Sequence, residues 1–395
     1  MKVLIIHQHF RTPTEGGAIR SYYLAKALVD RGIEVVVITA GKNKKTTISN
    51  FEGIEVRWLN VPYDNSFGFW KRGFSFLRFA YDAYTTAKSI PSIDLCYAIS
   101  VPLTTGLVAR ALKSRLNIPY IFEIGDLWPE APIQLGYIRN PLFKRLLYGL
   151  EKSAYREARS LVALSTAIRS SVRTKVADDQ KKIYLIPNMS DTDFYRPSTK
   201  DEALIKKLDV GSHFVVSYIG AVGIANGLDY FVECARASMQ AGLPIRFFLC
   251  GQGALLDQHK QNVKRLELNN FTFHPFQNRE GVKELMKVSD AVFVCYKPYR
   301  ILETGSPNKY FDGLAAGKLI IINFEGWIKD EIEEASCGIA IDRKRPQEFV
   351  ARILPFIKDC DLLTRYQTAA RTLAVSKYAR QKLSSEFAEL IIENK

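Results

Sequence analysis

The chain has 395 residues, 47% of them hydrophobic and 24% charged, with 55 Lys+Arg against 41 Asp+Glu for a net charge of +14. That length suits two domains of roughly 150 to 200 residues each rather than a single core, and the composition excludes a disordered or low-complexity chain. No apolar run nears the roughly 18 residues that a spanning helix needs, and the opening MKVLIIHQHF reads as a buried strand rather than a signal peptide.

Taken in order, short apolar, β-branched runs alternate with helical patterns. Expected strands are Lys2–Ile6, Glu34–Thr39, Asp94–Ala98, Pro119–Ile124, Ser160–Leu164 and Ile183–Ile186, and after residue 210 His213–Ile219, Ile245–Cys250, Ala291–Cys295 and Lys318–Asn323. Most are continuously apolar, as parallel strands covered on both faces are. The repetition predicts an α/β fold of two doubly wound, Rossmann-like domains facing a central cleft. Residues 1–190 would form the first, 191–203 a linker rich in Pro, Ser and Asp, and 204–375 the second. The helical stretch 376–395 could pack back on the first.

Between the first two expected strands, TPTEGGAIR sets Gly16 and Gly17 before a helical pattern. Paired glycines let a backbone approach a ligand, and the helix N-terminus offers N–H groups to a phosphate. A tight strand-to-helix turn is the competing reading. Strict GxGxxG is absent, which counts against a dinucleotide-dependent dehydrogenase.

Residues 66–88, SFGFWKRGFSFLRFAYDAYTTAK, carry Phe74, Leu77, Tyr81 and Tyr84 on one helix face and Phe76, Phe79 and Ala80 on another, with Lys71, Arg72 and Arg78 interleaved. One face can pack on a sheet; the other, with Trp70, suits a lipid headgroup region. NPLFKRLLYGLEK (140–152), with Lys144 and Arg145, forms a second basic amphipathic helix. The charge agrees: residues 1–197 hold 28 Lys+Arg and 17 Asp+Glu, or +11, against 27 and 24, or +3, in the remainder. A core helix or a protein contact would also account for the aromatics.

FEIGDLWPEAP (122–132) places Glu123, Asp126 and Glu130 after a strand, at the end where open α/β sheets bind ligands. In ETGSPNKYFDGLAAGK (303–318), Ser306 suits a helix N-cap and Pro307 the first helical position. The first-turn N–H groups and Lys309 would then face an anion, and Asp312 could accept hydrogen bonds from two vicinal hydroxyls. The tripeptides Asp191-Thr192-Asp193 and Asp359-Cys360-Asp361 follow no catalytic strand, so neither reads as a metal site. The six cysteines show no metal-ligand spacing and read as buried thiols.

In this order the segments GGAIR, IGDLWPE, IPNMSDTDFYRP, YIGAVGIANGLDYF, FLCGQGALLD and SPNKYFDGLAAGK resemble family 4 of the retaining glycosyltransferases, of the GT-B fold. The likeness is greatest to the bacterial branch that builds O-antigen, capsule and exopolysaccharide repeats.

The resemblance implies several roles. Gly16 and Gly17 would approach a donor diphosphate, and Asp312 would hold ribose hydroxyls from the second position of an E-x7-E motif. Asn308 and Lys309 would bind diphosphate or sugar, with Gly220, Thr304 and Ser306 completing the donor wall. The loop with His274 and Phe276 would read the base. Asp126 matches the aspartate of a His-Asp turn beside the reacting sugar, Gly125 standing where the His would be. Glu303 is the second candidate catalytic carboxylate, one place off the first motif position, which Thr304 occupies. Arg20, Trp70, Lys71, Arg72, Phe76, Lys144 and Arg145 are assigned to the acceptor and membrane. An Arg/Lys pair that many members use on the leaving diphosphate is missing, its positions being Ala221 and Asn226.

The expected enzyme is a metal-independent hexosyl or N-acetylhexosaminyl transferase with no cofactor. Its donor is a UDP-, GDP- or dTDP-sugar. Its acceptor is a saccharide or polyprenyl-diphosphate-saccharide, and it works from the cytoplasm on the anionic inner face of the membrane. No nucleic-acid module accompanies the basic charge. A non-catalytic partner subunit and a nucleotide-sugar epimerase of the same fold are the rivals.

Overall fold

The structure is a computed structural model that describes residues 1–17, 19–41, 45–63, 67–176 and 178–394. Ala18 of GGAIR, Ser66 at the start of the aromatic segment and Lys395 of the expected helical stretch 376–395 lie outside the described residues.

Two sheets organise the chain. The first contains β1 (Lys2–Ile6), β2 (Glu34–Gly41), β3 (Thr47–Phe51), β4 (Ile54–Asn60), β5 (Leu95–Ile99), β6 (Tyr120–Ile124), β7 (Ser160–Ala163) and β8 (Ile183–Leu185), in the order β3-β4-β2-β1-β5-β6-β7-β8. The second contains β9 (Phe214–Ile219), β10 (Ile245–Cys250), β11 (Phe271–His274), β12 (Ala291–Val294), β13 (Leu319–Ile322) and β14 (Gly338–Ala340), in the order β11-β10-β9-β12-β13-β14. All named pairings are parallel except β3 with β4. The expected α/β fold of two doubly wound halves is what the chain forms.

The sequence reading missed four strands, β3, β4, β11 and β14. No continuous apolar run marks them: β4 alternates inward and outward residues and β3, at the sheet edge, is mostly exposed. The expected aromatic segment forms one helix, Phe69–Lys88, and the second basic segment the helix Pro141–Glu157, which Asn140 caps by accepting from the Phe143 N–H at 3.0 Å.

Alternation along β1 divides the core of the first half. Leu4 and Ile6 meet Phe79, Ala83 and Val108 on one face, while Val3 and Ile5 meet Leu24, Phe387 and Ile391 on the other. Phe387 and Ile391 belong to the helix Arg380–Glu393, which returns from the second half, its Phe387 ring 4.8 Å from Tyr97. Burying each such side chain contributes about 1.5 to 3 kcal/mol. The returning helix is thus held mainly by apolar packing, with Ser160 and Asn394 hydrogen-bonded at 3.1 Å near its end.

Candidate donor and acceptor cleft

A cavity of about 710 Å³ opens between the two sheets, bounded by the loops after β1, β6, β9, β10 and β12. These are the carboxyl ends of the strands, where side chains and free N–H groups project without further sheet pairing.

On the first-sheet side, Gly16 and Gly17 take left-handed φ of +71° and +83°, which glycine reaches without strain. The helix Arg20–Val29 begins three residues later. Gly17 lines the cleft. Gly16 instead faces the second half, a Cβ there falling 3.5 Å from Asn278 Cα.

Arg20 corrects an expectation. Its guanidinium is buried and forks onto Glu123 at 3.3 and 3.0 Å, and it also donates to the carbonyls of Ile186 and Pro187. Tyr97 donates to the same carboxylate at 2.5 Å. With these donors committed, Arg20 holds the cleft floor together rather than awaiting an acceptor.

Asp126 follows β6 and reaches toward the second half, where a Cβ on Gly305 would lie 3.9 Å from its Oδ1. Crowding by both halves raises its carboxyl above the ordinary range. Gly125 before it has little room to be anything else, since a Cβ there would sit 2.8 Å from the Ser100 carbonyl oxygen. The imidazoles of this cleft come instead from the end of β1. His7 bonds Ser21 at 2.8 Å and His9 packs 4.5 Å from the Tyr63 ring. Burial, reinforced by neighbouring positive charge, lowers them to about 3 and about 4, so both are neutral at pH 7.

From the second half comes the helix Asn308–Ala315. It starts one residue later than expected, because Ser306 does not cap it. The Ser306 hydroxyl accepts from the Asn188 N–H at 3.3 Å, and its carbonyl accepts from the Asn188 side chain. Ser306 and Asn308 line the cleft, and Lys309 stands in the first turn with its Nζ 4.8 Å from the Tyr218 ring centre and 5.8 Å from that of Tyr296. Gly220 leaves room for it, a Cβ there falling 3.0 Å from Lys309 Cε. Burial pulls the Lys309 ammonium down to about 8. Asp312, one turn on, is raised to about 7, first by burial and then by Asp191, against the opposing pull of Arg279. Asn226, at a position of the missing basic pair, is used locally: its Oδ1 accepts from the Gly223 N–H.

Glu303, Thr304 and His274 do not line the cleft. Glu303 lies in the turn Arg300–Thr304 and accepts from Arg343 at 3.0 Å; Thr304 donates to the Ile301 carbonyl at 2.7 Å. The motif is offset by one residue, and Glu303 is paired with Arg343 outside the cleft. His274 packs 4.5 Å from the Phe248 ring, whereas Phe276 projects into the cleft.

Arg279 is not among the residues singled out from sequence, and Asp191, which does not read as a metal site, is an ion-pair partner in the structure. Arg279 opens the helix Arg279–Val288 and donates to Asp191 at 2.6 Å and to Tyr23 at 3.2 Å, while Arg380 donates to Asp191 at 3.0 Å. Asn278, which caps that helix, was the available signal. Asp359 likewise caps the helix Cys360–Lys377. Among the described residues no three His, Cys, Asp or Glu side chains are grouped so as to hold a metal ion.

Outside the cleft, Phe76 is buried, its ring 5.8 Å from Tyr63 and 6.1 Å from Trp128, so it belongs to the core and not to an outer face. Trp70, 85% exposed, stands with Phe74, Leu77 and Tyr81 on the solvent side. Leu142, Phe143 and Leu146 are exposed on the helix Pro141–Glu157 beside Lys144 and Arg145. Both helices rest on the helix Thr104–Leu116, which places their apolar side chains on the same half. No helix is long and apolar enough to cross a membrane among the described residues.

Two sheets facing a cleft, with a helix N-terminus and a lysine on one wall, are the arrangement of the GT-B fold. The chain belongs to glycosyltransferase family 4: residues 15–189 match the Glycosyl transferase 4-like domain and residues 200–373 the Glycosyl transferases group 1 model. It is 20% identical over 290 residues to the alpha-D-kanosaminyltransferase of Streptomyces kanamyceticus, 71% of this chain and 72% of that protein. Among solved structures, the sucrose-phosphate synthase of Thermosynechococcus elongatus aligns with a TM-score of 0.81 at 14% identity, over 99% of this chain and 98% of that one. The Anabaena protein HepE, solved in complex with UDP-glucose, aligns at 0.75 and 19% over the whole of both chains.

Proposed function

We propose that the protein is a retaining, metal-independent glycosyltransferase that moves a hexosyl or N-acetylhexosaminyl group from a nucleotide-sugar to a saccharide carried on a lipid diphosphate, in the synthesis of a surface polysaccharide at the inner face of the cytoplasmic membrane. The observation that carries this reading is the convergence of Lys309, Asp312 and Asp126 in one cleft. The HepE structure in complex with UDP-glucose supports a nucleotide-sugar donor. The exposed aromatic and basic helices of the first half support a membrane-borne acceptor.

In this mechanism the donor lies against the second half, with its ribose hydroxyls donating to Asp312. Lys309 and the N–H groups that open its helix face the diphosphate, and they stabilise the charge that grows as the anomeric C–O bond breaks. The acceptor oxygen attacks the anomeric carbon on the face the diphosphate leaves, and its proton passes to a diphosphate oxygen. Asp126 stabilises the oxocarbenium-like state from the first half. A non-catalytic subunit is the second reading, favoured by Glu303 lying outside the cleft.

The test is thermal-shift screening of the purified protein with UDP, GDP, dTDP and their sugars, followed by transfer assays with and without chelator. The anomeric configuration of the product is then read by NMR. Transfer that survives chelation with retained configuration is expected. Loss of activity on chelation, restored by magnesium or manganese, removes metal independence. Donor binding without hydrolysis or transfer to any lipid-linked or soluble acceptor favours the non-catalytic subunit.

A further inference from the structure

A second cavity, of about 300 Å³, lies behind the linker, between residues 193–198, the helix Arg279–Val288 and the Ala316–Lys318 turn that leads into β13. Four cations line it: Arg196, Lys283, Lys287 and Lys318. The single carboxylate on its wall, Asp193, already accepts from Arg380 at 2.9 Å and from Gln381. Lys283 and Lys287 are one helical turn apart and so share a face. Lys283 has Glu280 at 3.7 Å, and its Nζ lies 4.6 Å from the Phe194 ring centre.

Lys318 is the unusual member. It is 6% exposed, and among the described residues its ammonium makes no hydrogen bond and no ion pair within 4.0 Å. The acid nearest in charge, Asp290, is taken by Lys200 at 2.5 Å and by the Val215 N–H at 2.7 Å. The side chain is buried while its ammonium opens into the cavity, and a cation so placed gains from a counter-charge. Burial lowers it to about 8, with Asp290 opposing and Lys200 adding to the fall. An anion seated in the cavity would supply the missing partner.

We propose that this cavity is a second anion site that binds a small phosphate-bearing molecule, separate from the donor cleft. The size admits a diphosphate or a sugar phosphate but not a nucleic-acid strand, and compact ammonium groups suit phosphate oxygens. Tyr195 lines both this cavity and the cleft, so the two sites share one side chain as a wall.

The experiment uses inorganic pyrophosphate and calorimetry at about 0.15 M ionic strength, where long-range attraction is screened. The full chain carrying Lys309→Met, which removes the ammonium of the cleft, should still bind pyrophosphate. Adding Lys287→Glu should weaken that binding at least tenfold, as should Lys318→Met if that variant keeps its fold by circular dichroism. Nucleotide affinity measured with Lys287→Glu alone should be unchanged, which separates this site from the cleft. The proposal is overturned if the Lys309→Met protein binds no pyrophosphate, or if Lys287→Glu leaves its binding unaltered.

Discussion

Arg279 donates to Asp191 at 2.6 Å, and both side chains are nearly buried, joining the second half to the linker. Arg380, at the start of the returning helix, meets the same carboxylate at 3.0 Å. Burial alone would raise the Asp191 carboxyl, but the two guanidinium groups and Tyr23 hold it below the ordinary range. Removing one partner of a buried pair costs about 3 to 5 kcal/mol, so Asp191→Ala should lower the urea midpoint markedly at pH 7. The folded-state pKa is depressed, so this stabilisation is present above the unfolded value and is lost as pH falls through the folded one. The difference from wild type should therefore narrow in acid, below the usual aspartate range.

Lys309 gives the cleft its alkaline limit. Burial sets its ammonium at about 8 in the unliganded protein, and a diphosphate binds the charged form. Nucleoside diphosphate affinity should fall above pH 8 by up to about tenfold per unit. Lys309→Met should weaken binding at pH 7 and flatten that slope. Calorimetry across pH 7 to 9.5 reads both effects.

Asp312 gives the acid limit. Its carboxyl titrates at about 7, and its carboxylate is the form that accepts from two hydroxyls. Nucleotide affinity should weaken as pH drops below 7. Asp312→Ala should weaken it at pH 8 by about 1.5 to 3 kcal/mol, the worth of a hydrogen bond to a charged group. Equal affinity in the alanine variant removes the residue from the donor site.

Asp126 stands on the opposite wall and is expected to act on the reacting sugar. Asp126→Asn should leave nucleotide affinity within about twofold, as the residue is placed on the acceptor side, and lower kcat by about 10² or more. A change confined to KM for the donor would contradict that placement. Circular dichroism confirms that the variant keeps its fold.

The outer face of the first half makes the membrane prediction. Phe74, Leu77 and Leu142 project into solvent, and each basic residue beside an anionic leaflet contributes about 1 kcal/mol. Replacing Lys71, Arg72, Lys144 and Arg145 together, or all three apolar residues by Glu, should release the protein from anionic vesicles in sedimentation. High salt should release wild type in the same way. Phe76→Glu should instead unfold the protein, because that ring is in the core.

Much of this was legible in the chain alone. Buried parallel strands are apolar on both faces, so β1, β2, β5, β6, β7, β9, β10, β12 and β13 announce themselves as runs, and their ends locate the loops of Gly17, Asp126 and Lys309. The edge strands β3, β11 and β14 lack that signature because they are short or open on one side. Tertiary contacts alone decided which charged groups are free. Arg20 and Glu303 look available in sequence, yet Glu123, 103 residues from Arg20, and Arg343, 40 residues from Glu303, occupy them. Helical periodicity separated two faces of Phe69–Lys88 without saying which one turns inward; only packing of Phe76 and Phe79 against the first sheet and its loops settled that. The pairing of Arg279 with Asp191 joins residues 88 apart. Local pattern reports secondary structure because backbone periodicity is local, whereas charge pairing and burial depend on which distant segments the fold brings together.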